Sequence, residues 1–261
     1  LLKKIHLTNC RHSFFERMLR CFRIEEGYDP AHVYMLTRQG RMHPEIADFP
    51  NRVFYEGRLQ AVPLPHQQEE CEERNGENGL ARILTAHRMV FVNAERPVNS
   101  VSFKTNEGEA KRIAAMVNQI YLLHRDTFDT LKTVGVIVPY RNQIATVRKE
   151  LDGYGTPCLR QITIDTVGRN QGSQRDHIIY GFTVQRPYQM DFLTGNVFVE
   201  EEQTIDRKLN VAMTRARRHL VLVGHAPLLR RDPLFRRLID FVENKKGFVD
   251  VGCDDFCNGR F

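Results

Sequence analysis

Two arginines, Arg215 and Arg217, stand just before an apolar strand in residues 206–224 (DRKLNVAMTRARRHLVLVG). A guanidinium group is planar, permanently charged and offers paired donors that match phosphate oxygens. It can therefore stabilise the charge that develops during phosphoryl transfer. The alternative is a solvated basic helix end, because cations are favoured near the negative end of a helix dipole. These residues alone leave both interpretations open.

The elements around these arginines follow from hydrophobic spacing. Leu209, Ala212 and Met213 share one face of a predicted helix, and residues 221–223 form a buried strand that ends at Gly224. We therefore expect both arginines at the helix–strand junction. There the packed layer fixes the backbone, while the side chains extend out of the layer. Such an arrangement suits a charged group that must be held in a defined direction.

Arg41 is a second candidate phosphate ligand. It follows the flexible Gly40 and precedes a helix that Pro44 is placed to start. The alternative is a surface arginine in a loop. A packed element is favoured by the apolar and aromatic residues that follow, namely Ile46, Phe49, Val53, Phe54 and Tyr55.

Strands and amphipathic helices alternate through the rest of the chain. We predict strands over residues 87–93, 134–138, 161–167 and 178–184, and helices after the N-cap Asn106, over residues 142–151, and after Asp232 and Pro233. This alternation implies an α/β fold with a parallel sheet covered by helices on both faces.

Open parallel sheets bind ligands beyond the carboxyl ends of their strands. That rule singles out Pro139, Tyr140 and Arg141, which follow the strand over residues 134–138. Tyr140 could stack on a base and Arg141 could hold a phosphate. The alternative is a tyrosine that packs on the following helix.

A glycine-containing loop, GRNQGSQRD, precedes the strand over residues 178–184. Gly168 and Gly172 allow the backbone to approach a ligand closely. Polar contacts could come from Gln171, Gln174, Arg175 and Asp176. An ordinary glycine-containing loop is the alternative, and the short motif does not exclude it.

Composition bounds the class of protein. The chain has 261 residues, a net charge of +6 and a mean hydropathy of −0.44, so it can bury a large core as one α/β domain or two small ones. It lacks the apolar run of about 18 residues that spans a membrane.

The basic excess favours a nucleic acid or nucleotide as partner. Six scattered cysteines fit a reducing compartment, and a metal site using Cys253 and Cys257 would need further ligands.

Four stretches in this order resemble the second RecA-like domain of superfamily 1 helicases: QGRMHPEIADFPNRVFYEGRL, VGVIVPYRNQ, TVGRNQGSQRDHIIY and LNVAMTRARRHLVLVG. The similarity is greatest to the 1B branch, which includes the RNA-surveillance helicase of nonsense-mediated decay. It implies a RecA-like domain over residues 1–246. Within this range, the polar and acidic composition of residues 60–80, with its prolines and glycine, predicts a mobile surface connection without a site, and the mixed aromatic, glycine and acidic residues 185–205 predict an excursion from the sheet. We expect residues 247–261 to form a loosely held tail.

The resemblance also implies roles for individual residues. Arg215 matches the arginine finger, and Arg41 matches the second arginine that reaches the γ-phosphate. Nucleotide contacts are implied for Gln39, Gln171, Gly172, Gln174 and Arg217, although Arg217 could instead form a supporting ion pair. Contacts with the nucleic-acid strand are implied for Pro139, Tyr140, Arg141 and Thr166.

Some positions depart from the family pattern. Gly40 replaces a tyrosine that packs against adenine, Gly168 and Asn170 replace acidic and aromatic residues, and Gln174 replaces a ribose-binding glutamate. The chain also has no G-x-x-x-x-G-K-[ST] phosphate loop and no acidic Walker B box.

We therefore expect a preceding RecA-like domain, before Leu1, to bind most of the ATP and Mg²⁺, and we expect this chain alone to be inactive as an ATPase. The expected partner is single-stranded DNA or RNA, and the expected location is the cytoplasm, or the nucleus in a eukaryote. Two alternatives stay open: a non-enzymatic nucleic-acid scaffold of helicase shape, and the helicase part of a nuclease-helicase.

Overall fold

A computed structural model describes residues 14–25, 27–71, 78–97, 102–167, 174–194, 197–200 and 203–261. The chain divides into two compact units, residues 1–37 and 38–261. The predicted site residues Gln171 and Gly172 lie outside the described residues, as do Gly168 and Asn170.

The described residues of the smaller unit include one helix and a short hairpin. Helix α1 (Phe14–Cys21) is followed by strands β1 (Arg23–Ile24) and β2 (Gly27–Tyr28), which pair antiparallel. The ring of Phe22 stacks on His32 with ring centroids 4.5 Å apart. None of the predicted site residues belongs to this unit.

The larger unit alternates helices and strands as predicted. Its helices are α2 (Pro44–Phe54), α3 (Gly79–Ala86), α4 (Glu107–Leu123), α5 (Arg141–Asp152), α6 (Met190–Thr194), α7 (Arg207–Met213), α8 (Ala226–Leu229), α9 (Pro233–Asn244) and α10 (Cys253–Cys257). Its strands are β3 (Arg38–Gln39), β4 (Gln60–Ala61), β5 (Met89–Asn93), β6 (Val134–Ile137), β7 (Thr163–Asp165), β8 (Arg175–Gly181), β9 (Val197–Glu200), β10 (Gln203–Asp206), β11 (Ala216–Gly224) and β12 (Phe248–Val249). Short 3-10 helices span Pro65–Gln67, Pro157–Gln161 and Pro187–Gln189.

Six strands form one parallel sheet in the order β12-β5-β11-β8-β6-β7. Successive residues of β11 face opposite sides: Leu220 and Leu222 enter one hydrophobic core, and Val221 and Val223 enter the other. Burial on both faces explains why the strands read as continuous apolar runs. The predicted α/β fold, with a parallel sheet between two helical layers, is confirmed.

Helix starts follow the predicted capping chemistry. The side chain of Asn106 accepts a hydrogen bond from the backbone N–H of Glu109 at 3.0 Å, and that of Asp232 accepts one from Leu234 at 2.8 Å. Pro44 occupies the first position of α2, where its missing N–H leaves no unpaired partner in the helix. No helix within the described ranges is both long and apolar enough to cross a membrane.

Two local expectations are wrong. β11 begins at Ala216, so Arg217 lies within the strand and only Arg215 lies at the junction with α7. The segment after Gly247 is also not loosely held, because β12 pairs with β5 and the side chain of Phe256 on α10 is fully buried. A two-residue strand and one buried ring carry too little periodicity to be seen in the sequence.

Candidate functional site

Arg215 lies on the turn that joins α7 to β11, at the amino edge of the sheet. Its backbone is fixed on both sides: its N–H donates to Ala212 O at 3.2 Å, and its carbonyl accepts from Arg175 N at 3.1 Å. The residue is 9% exposed. Burial lowers the pKa of the Arg215 guanidinium, and the neighbouring positive charge of Arg41 lowers it further. The fold therefore holds two like charges close together on a rigid support.

Arg41 reaches the same turn from a segment far away in sequence. Its Nη1 donates to the carbonyl of Thr214 at 3.1 Å, and its Nε donates to Gln174 Oε1 at 3.3 Å. The structure thus brings three of the predicted nucleotide-contacting residues, Arg41, Gln174 and Arg215, to one place. Cationic and amide donors that lie this close together can bind a phosphate oxyanion.

The turn that carries Arg41 is held from within by Gln39. Gln39 Oε1 accepts from the backbone N–H groups of Arg41 (3.1 Å) and Met42 (2.8 Å), and its Nε2 donates to Met42 O at 3.0 Å. From outside, Gln67 Nε2 donates to the carbonyls of Gln39 and Met42. In this structure both ends of the Gln39 amide shape the turn.

Arg217 connects to the Arg41 turn through His66. Arg217 Nη1 is ion-paired with Asp176 at 2.9 Å, and its Nη2 lies 3.4 Å from His66 Nδ1. His66 Nε2 in turn lies 2.9 Å from the carbonyl of Arg41. Donation from Nε2 to this carbonyl leaves Nδ1 as the acceptor for Arg217. The arrangement matches the supporting ion pair that the sequence left open for Arg217.

Sequence reasoning missed His66 and Gln67. Both belong to residues 60–80, where we expected a mobile connection without a site, yet they are 5% and 4% exposed and bonded to the Arg41 turn. The expectation of a mobile stretch is therefore wrong for these two residues. A polar composition with prolines predicts a surface segment, and only the tertiary contacts show that the polar groups face inward.

A second group of predicted residues meets at the opposite, carboxyl edge of the sheet. Pro139 follows β6, Arg141 begins α5 and Thr166 follows β7. All three line a cavity of about 290 Å³, together with Val167, Tyr180, Phe192 and Lys208. Two cationic side chains beside an exposed aromatic ring form a lining suited to a nucleic-acid backbone and base.

Tyr140 does not line this cavity. Its ring stacks on Phe192 of α6, with centroids 5.0 Å apart and planes 22° from parallel, and its hydroxyl accepts from Gln189 Nε2 at 3.3 Å. Burial raises the pKa of the Tyr140 hydroxyl. Phe192 thus occupies a face of the ring that was predicted to meet a base.

Metal-ligand groups do not converge in the described ranges, where no cluster of three or more His, Cys, Asp or Glu side chains could hold a metal ion. Cys253 and Cys257 lie one turn apart on α10. Asp176, beside the arginine cluster, is ion-paired with both Arg217 and Arg218. The Asp176 carboxylate is therefore already engaged by two guanidinium groups.

The chain is similar to known helicases over most of its length. The sequence model of a family described as "AAA domain" matches residues 10–227. Regulator of nonsense transcripts 1 from Dictyostelium discoideum is 30% identical over 256 residues, covering 96% of this chain and 17% of that protein. Helicase sen1 from Schizosaccharomyces pombe is 28% identical over 248 residues, covering 94% and 13%. Probable helicase MAGATAMA 3 from Arabidopsis thaliana is 26% identical over 242 residues, covering 92% and 27%.

The chain thus spans 13% to 27% of the length of these curated relatives. Among solved structures, the C-terminal domain of a possible DNA helicase from Lactobacillus plantarum WCFS1 is 16% identical with a TM-score of 0.37, covering 71% of this chain and 87% of that one. At this TM-score the likeness adds nothing to the fold, which the six-stranded sheet defines by itself.

Proposed function

Because the chain belongs to the AAA domain family and is a superfamily 1 helicase domain, we propose that it works as the second motor domain of an ATP-dependent nucleic-acid helicase. In this proposal it presents Arg41 and Arg215 to the γ-phosphate of an ATP molecule held by a preceding RecA-like domain. The observation that carries the proposal is the hydrogen bond from Arg41 to Thr214 O, which places Arg41 beside Arg215.

The chemistry of this cluster fits a triphosphate. Two guanidinium groups repel each other, and burial makes the charge of Arg215 more costly. A bound oxyanion reverses both effects, because it pairs with the charges and replaces lost hydration. Mg²⁺ does not fit this cluster, since Asp176 already pairs with Arg217 and Arg218. We therefore assign the metal to the preceding domain.

Each residue has a distinct task in the proposed mechanism. Arg215 stabilises charge on the transferring phosphoryl group, and an arginine in this role is typically worth ~10³–10⁵ in rate. Arg41 adds a second donor, and the ion pair of Arg217 with Asp176 holds the Arg41 turn in position through His66. Hydrolysis then depends on closure of the cleft between two domains.

The two groups of residues share one rigid sheet. Arg215 precedes β11 at the amino edge, and Pro139 follows β6 at the carboxyl edge. A rotation of the domain that moves Arg215 toward the nucleotide therefore also moves the residues proposed to hold the strand. This geometry supports a coupling between ATP hydrolysis and movement along single-stranded DNA or RNA.

The proposal is tested in a protein that joins this chain to the proposed preceding RecA-like domain, the P-loop domain that would bind ATP. Arg215→Ala is expected to lower nucleic-acid-stimulated ATP turnover by at least ~10³-fold while ATP binding changes little, because the finger acts in the transition state. Arg237→Ala, on the exposed side of α9, is the matched control and should retain activity. The 261-residue chain alone should show no turnover. Full activity of the Arg215 variant would remove the residue from this role.

A non-enzymatic scaffold is the second candidate, and two observations favour it. Gly40 offers no ring to pack against adenine, and Gln174, in the position of a ribose-binding glutamate, is used to hold Arg41. A scaffold would bind single-stranded nucleic acid with an affinity that ATP does not change, and the joined protein would lack turnover. Measured ATP hydrolysis by the joined protein excludes it.

A further inference from the structure

We propose that Phe103, Tyr188 and Phe192 form an aromatic platform on which bases of single-stranded nucleic acid stack, with Arg186 and Lys208 beside it to hold the backbone. The inference rests on the proposed function and extends the strand-binding surface to residues outside the helicase motifs. We call the three rings the aromatic platform.

The three rings are exposed to an unusual degree for large aromatic side chains. Tyr188 is 60% exposed, Phe192 45% and Phe103 43%. Phe103 and Tyr188 meet edge to face with ring centroids 6.3 Å apart. Tyr140 covers one face of Phe192 and Lys208 Nζ lies over the other, so a base that stacks on Phe192 displaces this flexible ammonium toward a phosphate. Exposed apolar surface of this kind marks a binding site when it is contiguous and bordered by polar groups.

Two cations lie directly over these rings. Lys208 Nζ is 4.0 Å from the centroid of Phe192 and donates to Phe192 O at 2.6 Å, and Arg186 Cζ is 5.2 Å from the centroid of Phe103. Asp191 is the one acidic residue in residues 186–194. Aromatic faces interleaved with cations are the combination that binds single strands, because bases stack while phosphates pair with the charges.

A buried polar network ties together the backbone segments beside the rings. Gln189 is 3% exposed, and its Nε2 donates to Phe103 O at 2.7 Å and to the hydroxyl of Tyr140 at 3.3 Å. Its Oε1 accepts from the backbone N–H groups of Gln185 and Arg186 at 3.0 Å each. Gln189 thus joins the backbone of Phe103 to the backbone of Arg186, and backbone segments that are fixed before binding lose little entropy when a strand binds.

Position and charge favour nucleic acid over a protein partner. Phe192 and Lys208 also line the 290 Å³ cavity with Pro139, Arg141 and Thr166, so the platform is continuous with the residues proposed to hold the strand. A protein partner would need a mainly apolar and charge-poor centre. In this chain, by contrast, Lys208 lies over Phe192 and Arg186 lies over Phe103.

The chain contains no tryptophan, which permits a direct test. Phe192→Trp places a single indole on the platform, and single strands of about 20 nucleotides, oligo-dT and oligo-U, are titrated against its fluorescence. We expect both to quench the indole and inorganic polyphosphate not to, because polyphosphate supplies charge without bases. A difference in affinity between oligo-dT and oligo-U would show whether the platform prefers DNA or RNA.

Affinity measurements supply the second arm. Phe192→Ala and Tyr188→Ala in the 261-residue chain should each weaken binding of a fluorescein-labelled single strand by about tenfold, while Phe192→Trp stays within about threefold of the unaltered chain. Tyr34→Ala, which removes a ring that is 81% exposed in the smaller unit, is the matched control and should bind normally.

Three results would overturn the platform. They are an unquenched indole at saturating strand, alanine variants that bind as well as the unaltered chain, and no binding by the unaltered chain at all. A variant that fails to fold, seen by circular dichroism, leaves the quenching of Phe192→Trp to decide. The ATPase test of Arg215 is independent of all three, so failure of the platform and failure of the motor function are distinguishable.

Discussion

Replacing His219 by phenylalanine is expected to make the chain more resistant to acid. His219 on β11 is in register with His177 on β8, and the two rings stack with centroids 4.7 Å apart and planes 5° from parallel. Burial lowers the pKa of His219 to about 3, with further lowering by Arg88, His124 and Arg218. Phenylalanine keeps a ring that can stack but cannot take up a proton.

The size of the effect follows from the difference in proton uptake. Below pH 6.5 an unfolded histidine becomes protonated, whereas folded His219 stays neutral down to about pH 3. Because the unfolded state binds more protons in this window, His219 contributes stability above pH 6.5 that is progressively lost as the pH falls. At pH 5 the loss is about 2 kcal/mol, since each pKa unit corresponds to about 1.4 kcal/mol.

Glu109 acts in the opposite direction and must be separated from His219. Burial raises the pKa of its carboxyl group to about 8, despite hydrogen bonds from the N–H and hydroxyl of Thr183. Folded Glu109 therefore holds a proton that the unfolded chain loses above pH 4.5, and its contribution to stability is lost as the pH rises toward 8. Between about pH 4.5 and pH 6.5, a falling pH lowers the stability through His219 and raises it through Glu109. The pH dependence of the unaltered chain's stability alone therefore does not report on His219.

The assay is urea unfolding of the unaltered chain and of His219→Phe at about pH 7.5 and pH 5, where the Glu109 contribution cancels in the difference. The difference in unfolding free energy should shift by about 2 kcal/mol in favour of the variant at the lower pH. His219→Gln, which loses the ring as well as the proton uptake, should show the same shift from a lower starting stability. An equal difference at both pH values would show that folded His219 takes up protons as readily as unfolded His219.

Three further predictions concern backbone space, positioning and nucleotide affinity. Gly247→Ala should lower the melting temperature in circular dichroism, because a Cβ there would lie 2.2 Å from Met89 O, while Gly252→Ala, with nothing within 4 Å, should not. Asp176→Asn should lower turnover of the joined protein by about tenfold through the weakened Arg41 turn, far less than loss of the finger; an unchanged kcat would contradict the positioning role. Gly40→Tyr should tighten binding of a fluorescent ATP analogue by about fivefold by adding an aromatic stacking partner, and unchanged affinity would place adenine elsewhere.

The fold could be predicted because its signals are local. The strand at residues 134–138 is a continuous apolar run, and Asn106 and Asp232 stand at helix starts, so the periodicity of the chain shows both the sheet and its two helical layers. The prediction for the segment after Gly247 is wrong because no local signal marks its burial. Its burial depends on a two-residue strand and on Phe256, which have no periodic pattern.

The support of the candidate site could not be predicted from local signals. His66 contacts Arg217 across 151 positions of the chain, and Arg41 contacts Thr214 across 173. Such pairs depend on the completed fold, and a polar stretch such as residues 60–80 looks the same whether its side chains face solvent or a neighbouring turn. Motif order indicated Arg41 and Arg215 through resemblance, and their catalytic roles stay predictions.

If Arg215 acts on the transition state of ATP hydrolysis, the binding of ADP with aluminium fluoride should depend on it. This complex mimics the transferring phosphoryl group, whereas a non-hydrolysable ATP analogue reports the ground state. In a protein that joins this chain to the proposed P-loop domain, Arg215→Ala is expected to weaken ADP–aluminium fluoride binding by at least about a hundredfold and to change analogue binding by less than about threefold. Equal binding of ADP–aluminium fluoride by the variant and the unaltered protein would show that Arg215 does not stabilise the transition state.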